Sequence, residues 1–254
     1  MIKTIIQAAR YIDQVGFCLL FPIKGLKLPS LWTALKGQSP RNFTLVADWD
    51  ADALKLWEWK DELPRRRLAY SGKYFRGKQS LLSLEFLPCF YRLADNLSAA
   101  GEPVPPDLSE VEGSRVGEYA ALYREGKISP DAHAVCRELF RHGPQATLEL
   151  RHGLGWSSQR GNARFKKAVA ELQRRLLIVH WGVKAETRAW ESVVYQLTPR
   201  AFPRAVRAAA RLSREEARDR IAAQYRRLVP SATARDAQRL FGWPRADART
   251  FFPA

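Results

Sequence analysis

Cysteine is scarce in this 254-residue chain, and histidine is nearly as rare. The three cysteines, Cys18, Cys89 and Cys136, form no C-x-x-C or Cys/His pair, so neither a disulfide framework nor a zinc site is indicated. We expect buried thiols in a reducing cytoplasm. The four histidines are scattered without i, i+4 pairing, which speaks against metal ligation. The sequence therefore predicts no metal site, and we expect no cofactor.

Long apolar runs are also missing. The longest extends from Val15 to Ile23 and is too short for a bilayer, which takes about 20 residues of helix. No small-residue cleavage site follows the run, so a signal peptide is not indicated. We expect this run to form a core strand or the buried end of a helix, and we expect no membrane segment.

Acidic residues are sparse in the second half of the chain. The whole sequence holds 42 Lys and Arg against 26 Asp and Glu, a formal charge of +16. Residues 1–126 hold 17 basic and 15 acidic residues, whereas residues 127–254 hold 25 and 11, a net charge of +14. A high arginine content also accompanies a GC-rich genome, but that would not explain the difference between the halves. The second half is predicted to attract a polyanion.

Helical signals follow one another closely after residue 128. Ser129 is an N-cap residue before Pro130, whose ring presets the helical φ, and apolar residues then recur at helical spacing. A second helix is predicted over 147–153, and a third over about 159–175. The short connection between the second and third helices indicates a helix–turn–helix.

Two β-strands are predicted behind the third helix. Residues 176–181 and 193–197 are rich in β-branched and aromatic side chains, and the polar segment 184–191 joins them. Pro199 and Pro203 close the unit. A helix–turn–helix docks on duplex DNA through its second helix, so we expect DNA to be the polyanion and the two strands to form a wing.

The third helix has two chemically different faces. Phe165, Val169 and Leu172 share one, whereas basic residues alternate with alanines on the other, where a helix backbone can approach a groove. The run 65–78 also interleaves basic and aromatic residues, which predicts either a DNA contact or a packed surface with snorkelling side chains. Candidate DNA-binding residues in the helix, the wing and this run are Gln159, Arg160, Arg164, Lys167, Arg174, Lys184, Arg188, Arg76 and Lys73.

Composition divides the chain into four parts. Residues 1–96 are aromatic-rich and mix helical patterns with loops, and 97–128 resemble an exposed linker rich in Pro, Gly and acidic residues. The winged unit occupies 129–204. In the last part, 205–254, Ser213 begins a Ser-x-x-Glu capping box and a helix, and a second helix follows after a turn. This part is predicted to be a wingless helix–turn–helix.

Three stretches carry a family resemblance. They read YIDQVGFCLLFPI at 11–23, LWEWKDELP at 56–64 and YRRLVPSAT at 225–233, the last followed by LFGW at 240–243. They resemble segments of the AlkZ/YcaQ-type winged-helix DNA glycosylases, which remove alkylated purines and unhook DNA crosslinks. The resemblance implies a mainly α fold with small β wings, built from tandem winged helix–turn–helix units, in which residues 1–96 are the glycosylase-like domain.

One departure from that family bears on activity. Its members place a Gln, one spacer and a Gln or Asp after the glycine of the first stretch, and the pair positions a water and stabilises the sugar cation. The resemblance puts Leu19 and Phe21 at these two positions. Neither side chain can exchange a proton or orient a water molecule. We therefore expect the catalytic motif to be missing.

An acidic cluster offers substitutes for the motif. Its members are Asp48, Asp50, Asp52, Glu58, Asp61 and Glu62. If the segment is helical, Glu58, Asp61 and Glu62 share one face. They are either fallback catalytic carboxylates or a solvated helix face that pairs with Lys60 and the arginines at 65–67. The residues alone leave both interpretations open.

Three functions follow from these observations. The first is a double-stranded DNA-binding protein related to alkylation and crosslink repair, which binds damaged or structured DNA without excising bases. The second is an active, monofunctional DNA glycosylase for alkylated purines that uses a relocated carboxylate. The third is a transcriptional regulator, which would dimerise symmetrically on palindromic sites. We favour the first and expect a monomeric, cytoplasmic, nucleoid-associated bacterial protein.

Overall fold

The computed structural model describes residues 2–37, 50–96, 118–187 and 190–252. In these ranges the chain is mainly helical with two small antiparallel sheets, as the sequence predicts. The helices are α1 (Ile5–Val15), α2 (Leu31–Lys36), α3 (Ala51–Arg65), α4 (Leu87–Leu93), α5 (Glu118–Arg124), α6 (Pro130–His142), α7 (Thr147–Gly153), α8 (Gln159–Arg174), α9 (Thr198–Ala201), α10 (Pro203–Ala210), α11 (Arg214–Leu228), α12 (Ala234–Phe241) and α13 (Arg245–Phe251). The strands are β1 (Phe17–Leu19), β2 (Tyr70–Gly72), β3 (Ser80–Leu82), β4 (Gln145–Ala146), β5 (Ile178–Thr187) and β6 (Trp190–Leu197), and a 3-10 helix lies at Phe75–Gly77.

The longest apolar run forms a core strand, which confirms the prediction made for it. It contains β1, whose three residues are fully buried and which pairs antiparallel with β3 in a sheet of order β1-β3-β2. Gly16 connects α1 to β1 with a φ of +79°, and the ring of Phe86 lies 2.7 Å from where a Cβ would be. No helix in the described ranges is long and apolar enough to cross a membrane.

The central part of the chain contains the predicted three helices and two strands in the predicted order, together with the short strand β4, which was not predicted. Ser129 accepts a hydrogen bond from the Ala132 amide at the start of α6, and α8 begins and ends within one residue of the predicted helix. Strands β4, β6 and β5 form an antiparallel sheet in that order. The first of the two predicted strands begins at Ile178 rather than at 176, because Leu176 adopts a φ of +58°, which a strand does not accommodate.

The hairpin strands are longer than their sequence pattern indicates. The predicted polar loop began at residue 184, but β5 continues to residue 187 and Lys184 pairs with Ser192 across the hairpin. Pro199 and Pro203, predicted to close the unit, lie in the first turns of α9 and α10. Proline has no backbone N–H group, but the N–H groups of the first helical turn have no partner within the helix. A proline that ends one element can therefore also begin the next helix.

The last part of the chain is helical, as predicted, and shares a core with the first part. Ser213 forms the predicted capping box with Glu216 at the start of α11, and α12 occupies 234–241, while α13 was not predicted. Phe241 of α12 packs against Phe17 and Phe75, with ring centroids 5.9 and 6.0 Å apart. Residues 97–117 of the predicted linker lie outside the described residues. Its last part is not an exposed linker, because α5 packs against α6 and both Leu122 and Ile128 are buried in the core. The shared core holds α12 beside the 3-10 helix.

Two further clusters complete the core. One joins the apolar faces of α6, α7 and α8 to β5 and β6, and the other joins α1, α2 and α3. Cys18, Cys89 and Cys136 are buried free thiols, as expected from their number and spacing. Helix α3 packs against β5, so the hairpin contacts the first part of the chain as well as its own helices.

Candidate nucleic-acid interface

Helix α8 presents one apolar and one basic face, as its sequence predicts. Phe165, Val169 and Leu172 are buried, because they lie at helical spacing toward α6 and the hairpin. The opposite face is exposed and contains these polar, basic and small residues: Gln159, Arg160, Ala163, Lys166, Lys167, Ala170 and Arg174. The exposed alanines leave the backbone accessible between the cations.

Four of the predicted DNA-binding cations are available to an anionic ligand. Arg160, Lys167, Arg174 and Arg76 make no salt bridge within the described part of the chain, and all four are exposed. Lys73 is exposed as well and forms no salt bridge with a described residue, while its backbone N–H donates to Gln173 Oε1 at 2.6 Å. Cations without an intramolecular partner can neutralise phosphates without first breaking an ion pair.

Two other predicted residues are already paired. Arg164 Nη2 lies 2.7 Å from Asp131 Oδ1, its guanidinium stacks over the Trp156 ring at 4.5 Å, and this hydrogen bond lowers the pKa of Asp131. Lys184 forms an ion pair with Glu149 and lowers the pKa of that carboxyl. Both cations are therefore partly neutralised by their own protein. Arg188, also predicted to bind DNA, lies outside the described residues.

A basic pocket forms where three elements meet. It has a volume of about 520 Å³ and contains the cationic side chains of Lys73 and Arg76, from the segment around the 3-10 helix, and Arg174, from α8. Tyr74 and Phe241 also line it. These residues lie in three separate parts of the sequence. Phe241 was not among the predicted DNA-binding residues, because nothing in the local pattern indicates that α12 and α8 line the same pocket.

The two motif positions lie in an apolar environment. Leu19 is fully buried in β1, and its N–H donates to the Pro29 carbonyl at 2.9 Å. Phe21 is partly exposed and packs against the Trp32 ring, with centroids 5.8 Å apart. A cavity of about 740 Å³ nearby has a mostly apolar lining that includes Ile23, but neither Leu19 nor Phe21 lines it. The assignment of these two residues to the catalytic positions remains a prediction.

The acidic candidates differ in their surroundings, although α3 is helical as assumed. Glu58 is exposed, whereas Glu62 pairs with Arg65 and Arg66, and the Arg65 hydrogen bond lowers the pKa of Glu62. Asp50 caps α3 and, like Asp52, forms an ion pair with Lys36. Asp48 lies outside the described residues.

Asp61 is buried, and so is its partner Lys60, where α3 packs against β5. The two side chains form an ion pair, and Lys60 Nζ also lies 4.2 Å from the centroid of the Trp57 ring. Burial raises the pKa of Asp61 and lowers the pKa of Lys60, while the charge of each partner opposes both shifts. Asp61 is therefore enclosed at a junction between elements, unlike the exposed Glu58 on the same helix.

His180 of β5 lies near this ion pair and is 3% exposed. Its ring packs edge-on against Tyr195 at 5.4 Å, and neither ring nitrogen hydrogen-bonds to a described residue. Burial, helped by the charges of Lys60 and Lys73, lowers the pKa of His180 to about 3. The imidazole is consequently neutral at physiological pH. No group of three metal-ligating side chains is found among the described residues.

We expect His180 to make the protein acid-sensitive. In the unfolded protein His180 binds a proton below a pH of about 6.5, whereas in the folded protein it does so only near pH 3. Acid therefore favours the unfolded state. Between about pH 6.5 and 5 this linkage costs about 2 kcal/mol of unfolding free energy. His180→Phe keeps a ring beside Tyr195 but cannot titrate, so denaturant melts should show less acid sensitivity for this variant. Wild type and His180→Phe share all their other titratable groups, so the difference between their acid sensitivities isolates the effect of His180. Equal acid sensitivity of the two proteins would contradict the expectation.

Comparison with known proteins identifies one family. A protein-family model described as "AlkZ related" matches residues 2–242 of the chain. No curated protein and no solved structure matches the chain. The matched range contains β1 and α3, which carry two of the stretches that resemble the AlkZ/YcaQ type, as well as α8 and the basic pocket.

Proposed function

The chain belongs to the AlkZ-related family, and on this basis we propose that it is a DNA-repair, glycosylase-like protein that binds double-stranded DNA. The exposed face of α8 carries this proposal. It presents Arg160, Lys167 and Arg174 on the solvent side of an otherwise well-packed helix. Such cations bind phosphates and release their counterions, which gives the binding a steep salt dependence.

We assign residues 130–197 to a winged helix–turn–helix. The assignment is supported by the order helix, strand, helix, helix, strand, strand and by the sheet of order β4-β6-β5. In this assignment α7 and α8 are the helix pair, α8 enters the major groove, and the β5–β6 hairpin is the wing. Helices α11 and α12 then form the second, wingless unit of a tandem array. The divisions at 96, 128 and 204 are part of the same proposal.

We further propose that the protein does not excise bases. Breaking an N-glycosidic bond builds positive charge on the sugar, which needs a carboxylate or an oriented water. Leu19 is buried and hydrophobic, and Phe21 offers an aromatic ring instead of a polar group. Among the alternative carboxylates, Glu62 is paired with arginines and Asp61 with Lys60, whereas Glu58 is exposed. Glu58 is thus the strongest remaining candidate for a relocated carboxylate.

One assay tests both parts of the proposal. A duplex with a single N7-alkylguanine is incubated with the purified protein, binding is followed by fluorescence anisotropy, and base release is measured by cleavage at abasic sites. We expect saturable binding that weakens steeply with salt, and no release above the protein-free background.

The assay is run on wild type and on three variants that each remove one candidate carboxylate: Glu58→Gln, Asp61→Asn and Glu62→Gln. Base release by wild type that disappears in a variant whose thermal melt shows it to be folded would show a relocated carboxylate and overturn the proposal of inactivity, while duplex binding would stand. Absence of binding at low salt would overturn the proposed function altogether.

A further inference from the structure

The floor of the basic pocket is aromatic. Phe75 and Phe90 are buried beneath it, with 1% exposure each, and belong to one cluster of edge-to-face rings. Tyr74 and Phe241 pack on these two rings and keep part of their surface exposed. Both line the pocket. The partly exposed residues Tyr74 and Phe241 therefore provide an aromatic lining to the pocket.

The walls of the pocket are cationic. Lys73, Arg76 and Arg174 lie around the aromatic floor, and no described lining residue carries a carboxylate. Arg76 adopts a φ of +54°, in the left-handed region that favours glycine. The N–H of Lys73 donates to Gln173, which fixes this segment against α8. The cations are thus held together by packing, although they repel one another.

We propose that this pocket binds one unpaired nucleotide of a DNA strand. Its cations hold the phosphate, and the base rests on Tyr74 and Phe241, the two partly exposed aromatic residues of the lining. Aromatic side chains combined with a positively charged groove are how proteins bind single-stranded nucleic acid. The volume of about 520 Å³ lies in the range of small-molecule pockets and accommodates a nucleotide.

We infer an unpaired nucleotide as the ligand, because a base within a duplex cannot stack on the aromatic floor of the pocket. In a duplex the faces of each base are covered by its neighbours, so an aromatic side chain reaches a base face only where stacking is broken. A duplex backbone would use the cations and leave the rings without a function. This inference rests on the proposed DNA binding and adds a preference for DNA with unpaired nucleotides, such as bulges or single-stranded ends.

The test compares two DNAs that differ in one feature. Dissociation constants are measured by anisotropy, at one salt concentration, for a short duplex and for the same duplex with a bulge of a few unpaired nucleotides. We expect wild type to bind the bulged DNA about tenfold more tightly, the size of effect that stacking one base on an aromatic ring gives.

Two variants separate charge from stacking. Arg76→Gly removes a cation at a position whose φ suits glycine, so the fold should tolerate it. Phe241→Leu keeps every charge and removes a ring. Both should reduce the preference for bulged DNA several-fold, and thermal melts confirm that each variant is folded. Lys78→Ala is the matched control, because Lys78 is exposed in the same segment but does not line the pocket.

The outcomes distinguish this inference from the proposed function. Equal affinity of wild type for the two DNAs would overturn the inference and leave duplex binding intact. A preference that survives both Arg76→Gly and Phe241→Leu would also overturn it, because the unpaired nucleotide would then bind elsewhere. Failure to bind either DNA would overturn the proposed function and the inference with it.

Discussion

Asp61→Asn is expected to lower the free energy of unfolding by about 3–5 kcal/mol, the cost of breaking a buried ion pair by removing one partner. Lys60 is 2% exposed and would keep only its contact with the Trp57 ring and the attraction of the Glu191 carboxylate, without the direct ion pair. An asparagine can still accept a hydrogen bond, but it cannot compensate the charge of a buried ammonium group. Lys60 must then lose its proton or draw water into the junction between α3 and β5.

Equilibrium denaturation measures this loss, and two comparisons identify its cause. Glu62→Gln breaks partly exposed pairs on the same helix and should cost less than about 1 kcal/mol. Replacing both buried partners, Lys60→Met with Asp61→Leu, should recover most of the loss, because an apolar pair has no desolvation penalty. A loss for Asp61→Asn no larger than that for Glu62→Gln would contradict the burial of this pair.

The combined replacement of Arg160, Lys167 and Arg174 by alanine should weaken duplex binding at least tenfold at physiological salt. It should also reduce the slope of log affinity against log salt by about three, since each phosphate contact contributes about one. Lys167→Ala alone should reduce the slope by about one. The three side chains project from the exposed face of α8, away from its apolar face, so stability should change little. A salt titration of a perfectly paired duplex, followed by anisotropy, measures the effect.

The control for this experiment is Arg164→Ala combined with Lys184→Ala. It removes two cations from the same unit, but each is already paired, with Asp131 and Glu149 respectively. Its effect on the salt slope should therefore be clearly smaller. If the α8 variant binds as tightly as wild type, or if the control has the larger effect, α8 does not form the interface with DNA.

Local signals predicted most elements of the fold correctly. Ser129 and Ser213 were assigned as helix caps from the sequence, and both accept the expected backbone hydrogen bond. The two faces of α8 and the buried strand within 15–23 were predicted as well. Helix caps and periodic burial depend on residues within a few positions of each other, so a pattern in the sequence contains the necessary information. The error at Leu176 concerns a backbone conformation that this residue adopts only in its tertiary context.

The sequence by itself determined the family, the mainly helical fold, the excess of positive charge and the residues that form the basic face of α8. Only the tertiary structure decided which charges are free. It paired Arg164 with Asp131, buried Asp61 beside Lys60, and brought Arg76 to Arg174. These contacts join residues from elements far apart in the chain, or depend on which side of a helix is covered. They are selected by how the elements pack against one another, because desolvation and long-range pairing depend on neighbours that no local pattern specifies.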